Sequence, residues 1–136
     1  MDEHHQFDRL RFLAPTGRTA AGYASFLGSQ LDVPKVVVLV ADTEGRVVGY
    51  SYASMEGYDW MSLRGPAGIL NDIIVDPGFR GRGVGRRLLE ATLDELKSLG
   101  APRVVLSTAQ QNEAAQHLFE SAGFRRTMIE MTRESD

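Results

Sequence analysis

The 136-residue sequence contains no cysteine. That absence removes disulfides, thiolate metal sites and a cysteine nucleophile together. Long apolar runs are also lacking: Val36 to Ala41 is the longest, far short of the ~20 residues that a membrane span needs. The opening Met1-Asp2-Glu3-His4-His5 has no basic and then apolar order of a secretory leader. A cytoplasmic protein without membrane contact is the expectation. Positive charge is in deficit, with 15 Lys and Arg against 18 Asp and Glu, net −3. Such a field disfavours nucleic acid as a partner. His4, His5 and His117 have no metal-ligand spacing, so no metal is expected.

There is no internal repeat, low-complexity tract or linker, and the length suits a single domain over residues 1–136. Apolar residues recur at helical spacing from about His5 to Leu31, with a break at Pro15-Thr16-Gly17. Val36 to Ala41 is β-rich, Asp42-Thr-Glu-Gly45 reads as a hairpin turn, and Arg46 to Met55 as the returning strand. Glu56 to Gly68 is a connection with Tyr58 and Trp60 near its tip, aromatics suited to a substrate or partner-subunit contact, with capping of the core the alternative for Trp60. Ile69 to Val75 predicts a third strand. Gly83 to Leu99 predicts a helix with Val84, Leu88, Ala91 and Leu96 inward, stopped by Gly100 and Pro102. A fourth strand at Val104 to Leu106 follows. A second helix spans Asn112 to Ala122, with Ala115, Leu118, Phe119 and Ala122 inward, and Phe124 to Met131 predicts a last strand. The order β-β-β-α-β-α-β implies a mixed α/β sheet with a central βαβ crossover and one parallel pair.

The chemistry concentrates in Val75-Asp-Pro-Gly-Phe-Arg-Gly-Arg-Gly-Val-Gly-Arg-Arg-Leu-Leu89. Glycines at 81, 83 and 85 let successive backbone N–H groups converge without side chains in the way. The helix that starts there adds unpaired N–H groups and the positive end of its dipole. Arg80, Arg82, Arg86 and Arg87 stand where that dipole disfavours cations by ~0.3–1 kcal/mol each. An arriving anion reverses the sign. The bland alternative is a solvated basic face on a tight turn. A Walker A loop fails, because Gly78 and Gly83 are followed by Val84-Gly85 instead of Lys-Ser/Thr. The dinucleotide fingerprint fails too, since Gly81, Gly83 and Gly85 give G-x-G-x-G.

The turn resembles the pyrophosphate signature of the GNAT acetyltransferases, Arg/Gln-x-x-Gly-x-Gly/Ala, through Arg80, Gly83 and Gly85. The resemblance continues in Asn112-x-x-Ala115-x-x-Leu118-Phe119-x-x-Ala122-Gly123-Phe124 and covers about Val36 to Met131. It implies a GNAT-like acyl-CoA N-acyltransferase fold with a shortened N-terminal region. It also implies acetyl-CoA as co-substrate, transferring its acetyl group to a primary amine of a small molecule or peptide. The resemblance places the pyrophosphate on Arg80, Gly81, Arg82, Gly83, Val84, Gly85 and Arg86. It places the pantetheine along Ile73, Ile74 and Val75, with Asn112 and Phe119 facing it from the second helix. The Val75 N–H would polarise the thioester carbonyl. Only about 35 residues precede the first hairpin, so the acceptor pocket is expected to be open or completed by a second subunit in a homodimer.

Two departures follow from the comparison with the family pattern. Phe119 stands where members commonly carry a tyrosine that protonates the departing thiolate, although a thiolate of pKa near ~8.5 leaves adequately unaided. Asn71 stands where several carry a glutamate base. Adjacent Asp72 can act as that base if a bulge turns it inward, with Glu56 and Asp59 as fallbacks. Asn71 and Asp72 can equally be polar residues bonding neighbouring backbone. A non-catalytic acyl-CoA-binding module on the same fold is the alternative that these departures keep open.

Overall fold

Val36–Thr43 (β1) and Arg46–Glu56 (β2) pair antiparallel, turning through Glu44 and Gly45 at φ 53° and 80°. Two successive positive φ angles make the tight hairpin turn whose twist matches its strands. Ala67–Val75 (β3) pairs antiparallel with β2, and Val104–Leu106 (β4) pairs parallel with β3. The sheet order is β1-β2-β3-β4. The crossover from β3 to β4 runs through the 3-10 turn Pro77–Phe79 and the helix Val84–Ser98 (α1). A second helix, Glu113–Ser121 (α2), follows β4. These elements come from a computed structural model that describes residues 35–135; the helical reading of residues 5–31 lies outside them.

Gly49, Ser51 and Ala53 of β2 and Gly68 and Leu70 of β3 face α1. A side chain at Gly68 would meet Leu96, and one at Gly49 would meet Leu88 and the Ile74 carbonyl. The core cluster is Val37, Ala53, Leu70, Leu89, Leu96 and Phe119. Two polar residues are fully buried beneath α1. Thr92 donates to the Leu88 carbonyl at 2.7 Å, so Ser51 must donate across the 2.6 Å contact to Thr92 Oγ1. Every buried hydroxyl of the pair is thereby satisfied. Both helices end alike. Gly100 and Gly123 take φ 96° and 97°, and Ala101 and Phe124 donate back to Leu96 and Phe119.

Three sequence expectations need correction. Ala91 is exposed, and Leu89 and Thr92 are the buried residues on that turn of α1. The α1 stripe therefore runs Leu88, Leu89, Thr92, Leu96. Tyr58 and Trp60 do not cap the core; they are 66% and 75% exposed and stack on each other at 5.4 Å. Phe124–Met131 forms no strand among the described residues. Phe124 packs edge-on against Phe119 at 5.8 Å, and Arg126 bonds Gln116 and Glu120 at 2.7 and 3.0 Å. Side-chain ties to α2 hold the segment, while an apolar alternation names a face and not a partner edge.

The β2–β3 connection is ordered by polar bonds. Asp59 and Arg64 exchange backbone bonds at 2.8 and 2.9 Å, and the Asp59 carboxylate accepts from the N–H groups of Met61 and Ser62. The Ser62 N–H and hydroxyl, then the Met61 N–H and the Arg64 charge, hold the Asp59 carboxyl below its ordinary value of 3.8.

Leu96→Ala should cost about 2–5 kcal/mol in urea unfolding. Ala91→Lys should stay within ~0.5 kcal/mol, and a loss comparable to Leu96→Ala would put the α1 stripe elsewhere. A depressed folded pKa stabilises above the unfolded value and ceases to do so as pH falls through the folded one. The chain's single tryptophan, Trp60, reports on this loop. Its fluorescence should hold steady through neutral pH and change with a midpoint below 3.8. Asp59→Ala should show the acid-like signal already at neutral pH; a midpoint above the ordinary value refutes the assignment.

Candidate active site

β3 and β4 part company soon after they meet. The parallel ladder covers Gly68–Val104, Ile69–Val105 and Leu70–Leu106, and goes no further. At the next residue the β2–β3 register slips: Ala53 opposes Leu70 and Tyr52 opposes Asp72, leaving Asn71 as the extra residue of a bulge. A bulge bends its strand and raises the local twist. Beyond it, β3 continues to Val75 against β2 alone. The result is a cleft opening between the strands, lined by Leu70 to Ile74, Leu106, Ser107, Thr108, Asn112, Ala115 and Phe119.

The phase of the β2–β3 ladder decides which main-chain groups face that opening. The Asp76 N–H bonds the opposed Val48 carbonyl at 2.7 Å. Bonded pairs alternate in an antiparallel ladder, so Tyr50–Ile74 is bonded, while Ile73 and Val75 turn their N–H and C=O groups away from β2. The Val75 carbonyl accepts from Arg80 Nε at 3.2 Å, as that direction requires. Ile73 and Val75 thus present main chain to the cleft; Ile74 contributes its side chain and spends its main chain on β2.

Past Ile74, the last residue of β3 that lines the cleft, the strand ends at Val75 and the chain enters the glycine turn. Asp76 caps the 3-10 turn by accepting from the Gly78 N–H at 2.9 Å and pairs with Arg46 at 3.1 Å. Gly81 and Gly83 then take φ 78° and 80°. Gly83 is the N-cap residue of α1, and no side chain caps that end. No acidic residue occupies its first turn. α2 is built the opposite way: the Asn112 side chain accepts from the Ala115 N–H at 3.1 Å, and Glu113 sits in the first turn. Gly85 packs 3.6 Å (to an added Cβ) from Val75 and Leu118, close enough to bring α1 against both β3 and α2.

The arginines divide by partner. Arg86 is spent within the fold, on Glu90 and Ser121 Oγ, both at 2.9 Å, tying α1 to α2. Arg82 and Arg46 lie over the Phe79 ring at 5.1 and 5.5 Å. Arg80 folds against the end of β3, and Arg87 is exposed on α1.

At the other end, Asp72 lines the cleft half-buried, and the Tyr50 hydroxyl donates to its Oδ2 at 3.0 Å. The bulge supplies the slip that an inward Asp72 required. Asn71 donates to Ser54 Oγ at 3.0 Å and to the Ile69 carbonyl at 3.4 Å, the second being the neighbouring-backbone bond that the bland reading gave it. Glu56 and Asp59 pair with Arg64 in the loop and do not line the cleft. Burial pushes the Tyr52 phenol above its ordinary value. Ser107, Thr108 and Ala115 were not foreseen. Ser107 and Thr108 follow β4 directly, and the tendency of ligands to bind at the carboxyl ends of parallel strands was the available signal.

Known proteins share this architecture. The tetramutant of BH1408 from Bacillus halodurans superposes with a TM-score of 0.82 at 23% identity, over 98% of this chain and 86% of that one. An aminoglycoside N-acetyltransferase, AAC(6')-Iy in complex with CoA, gives 0.72 at 21% identity, over 100% and 96%. Both likenesses are of fold. In sequence, the L-amino acid N-acyltransferase MnaT of Escherichia coli K12 is 33% identical over 79% of this chain and 53% of its own length. An uncharacterized N-acetyltransferase, YhfO of Bacillus subtilis 168, is 31% identical over 87% and 78%. The chain spans from about a third to about a half of the length of the first three curated relatives it matches. The description Acetyltransferase (GNAT) family fits residues 4–124. With the splayed β3–β4 pair and the uncapped glycine turn at its end, that match establishes that the chain belongs to the GNAT acetyltransferase family.

Proposed function

We propose that the chain is an N-acetyltransferase that binds acetyl-CoA along the β3–β4 cleft and passes the acetyl group directly to a primary amine. The observation that carries this reading is a run of outward-turned main-chain donors among the described residues. It runs from Ile73 and Val75, through the left-handed Gly81 and Gly83, to the bare N-terminus of α1. An extended amide-bearing arm ending in a diphosphate suits that set. A helix N-terminus and a glycine concavity bind phosphate, and a strand edge pairs with amides.

The co-substrate supplies an activated acyl carbon with a thiolate leaving group. Ile73 pairs its main chain with the arm, and the Val75 N–H donates to the acyl oxygen. Asn112, whose Oδ1 is committed to the helix cap, has its Nδ2 for the arm. Phe119, 6% exposed, walls the cleft and supplies no proton. Asp72 takes the proton that the attacking amine loses, directly or through water, and Tyr50 orients its carboxylate. The nitrogen–carbon bond forms as the carbon–sulfur bond breaks, so alignment and fixed dipoles provide most of the rate.

The acceptor is an amine of a small molecule or a peptide. Relatives are named for L-amino acids, for mycothiol and for an alanine of ribosomal protein bS18, and structural neighbours for aminoglycosides. With a half-buried aspartate and no glutamate at the bulge, a low-pKa amine is the better acceptor. An α-amine near ~7.7–8.0 needs little deprotonation at neutral pH, whereas an alkyl ammonium near ~10.4 needs much. Phe119 and the Asn71–Ser54 bond support a second reading, a non-catalytic acyl-CoA-binding module. Release of free thiol with any member of an amine panel separates the two.

Calorimetry should register acetyl-CoA binding to the wild type. Gly83→Val should abolish it, since a β-branched residue at φ 80° is strained by about 1–3 kcal/mol and covers the donors. Unchanged heat in that variant refutes the donor side. Asp72→Ala should lower kcat/KM and change its dependence between pH 6 and 9, while leaving acetyl-CoA binding intact. An identical profile removes Asp72 from the chemistry.

A further inference from the structure

Two arginines on one aromatic ring are left unused by acetyl transfer itself. Phe79 ends the 3-10 turn, half-buried, and two guanidinium groups lie over its ring, Arg82 at 5.1 Å and Arg46 at 5.5 Å. They come from distant parts of the sequence. Arg82 stands between Gly81 and Gly83, and Arg46 opens β2 just after the β1–β2 turn. Sheet register brings them together: the Asp76 N–H bonds the Val48 carbonyl, so the start of β2 lies beside the exit from β3. The Arg46–Asp76 ion pair at 3.1 Å closes the same junction.

Packing alone does not account for this arrangement. One guanidinium would suffice to cover the ring, and a second like charge adds repulsion. Asp76 answers Arg46 and Glu90 answers Arg86. Arg82 has the ring and nothing else: among the described residues it makes no hydrogen bond or ion pair, so its N–H donors are unspent. A guanidinium laid on a ring is held in one orientation with its fork of donors clear at the rim, a geometry that grips phosphate bidentately. The main-chain N–H groups of the glycine turn suit a diphosphate. The pair on Phe79 is a separate set of side-chain donors beside it.

We propose that Arg46 and Arg82, held on Phe79, bind a phosphomonoester of the co-substrate, the ribose 3′-phosphate of acetyl-CoA. This inference rests on the acetyl-CoA reading and deepens it: the Arg82 N–H stays with the diphosphate, while its side chain takes the further phosphate. A phosphomonoester suits two guanidinium groups, because it carries close to two charges at neutral pH on three free oxygens. The pair thereby makes the chain selective for a free CoA thioester over the same acyl group on a pantetheine arm without the nucleotide.

Acetyl-CoA and acetyl-dephospho-CoA differ only in that phosphate, and calorimetry with both tests the site. The wild type should bind acetyl-CoA about tenfold tighter, the order expected of partly exposed charge-assisted contacts. Added salt should shrink the difference. Arg46→Gln and Arg82→Gln should each reduce the ratio, and the double variant should abolish the preference. Arg46→Lys and Arg82→Lys should retain part of it, since the charge persists without the fork. Equal binding of the two thioesters by the wild type, which depends on no variant folding, overturns the inference and leaves the acetyl-CoA reading standing. A preference undiminished in a folded double variant does the same. Failure of the wild type to bind either thioester overturns both.

Discussion

The divergence of β3 from β4 is the constraint on which the rest depends. A parallel ladder that continued past Leu70–Leu106 would consume the outward main-chain groups of Ile73 and Val75, and the cleft would not exist. The bulge at Asn71 prevents this by bending β3 at the point where the ladder stops. Its side effect is chemical. Adding one residue to β3 puts Asp72 opposite Tyr52 and beside the Tyr50 hydroxyl, so a single irregularity both opens the cleft and delivers a carboxylate to it. Asn71 stabilises the irregularity by spanning to Ser54 on β2. A residue that is useless as a base is suited to that bond, because an amide donates where a carboxylate cannot.

Much of this was legible in advance, for identifiable reasons. The glycine turn could be read because backbone conformation is written in residue type: Gly81 and Gly83 both sit at positive φ. Helix ends were legible for the same reason, as Gly100 and Gly123 show. Strands β1 to β4 followed from β-branched runs between breakers. What failed depends on partners distant in sequence. Ala91 fits an inward spacing, yet the buried arc of α1 is set by where the helix crosses β2, and Ser51 reaches Thr92 instead. The alternation in Phe124–Met131 is real, but a strand needs an edge, and no local pattern specifies one. Ser107 and Thr108 were invisible because a lining residue owes its place to topology, not to its neighbours.

The two α-helices among the described residues act as each other's control. Both begin next to the cleft, and both end in the same glycine-terminated geometry. α2 obeys helix physics at its start, with an asparagine cap and a glutamate in the first turn. α1 disobeys it, with no side-chain cap and arginines where the dipole opposes them. Local inconsistency of this kind marks function when something else offsets it. Part of the offset is internal, since Arg86 recovers its cost through Glu90 and Ser121. The remainder, the uncapped N-terminus of α1, is the part that the proposed reading assigns to an anion.

Proton handling then follows from what the cleft contains. On the thiol side, the proposed reading leaves protonation of the departing sulfur to solvent, since Phe119 offers a buried ring and no proton, tolerable for a leaving group with a modest pKa. On the amine side, the only carboxylate among the cleft's lining residues is Asp72, and it already accepts from a tyrosine. On the proposed reading, a cleft with one carboxylate among its lining residues favours acceptors that surrender a proton readily. On the proposed reading the two departures are tolerated for separate reasons: a low-pKa acceptor lessens the need for a glutamate at the bulge, and the modest pKa of the departing thiolate lessens the need for a tyrosine on α2.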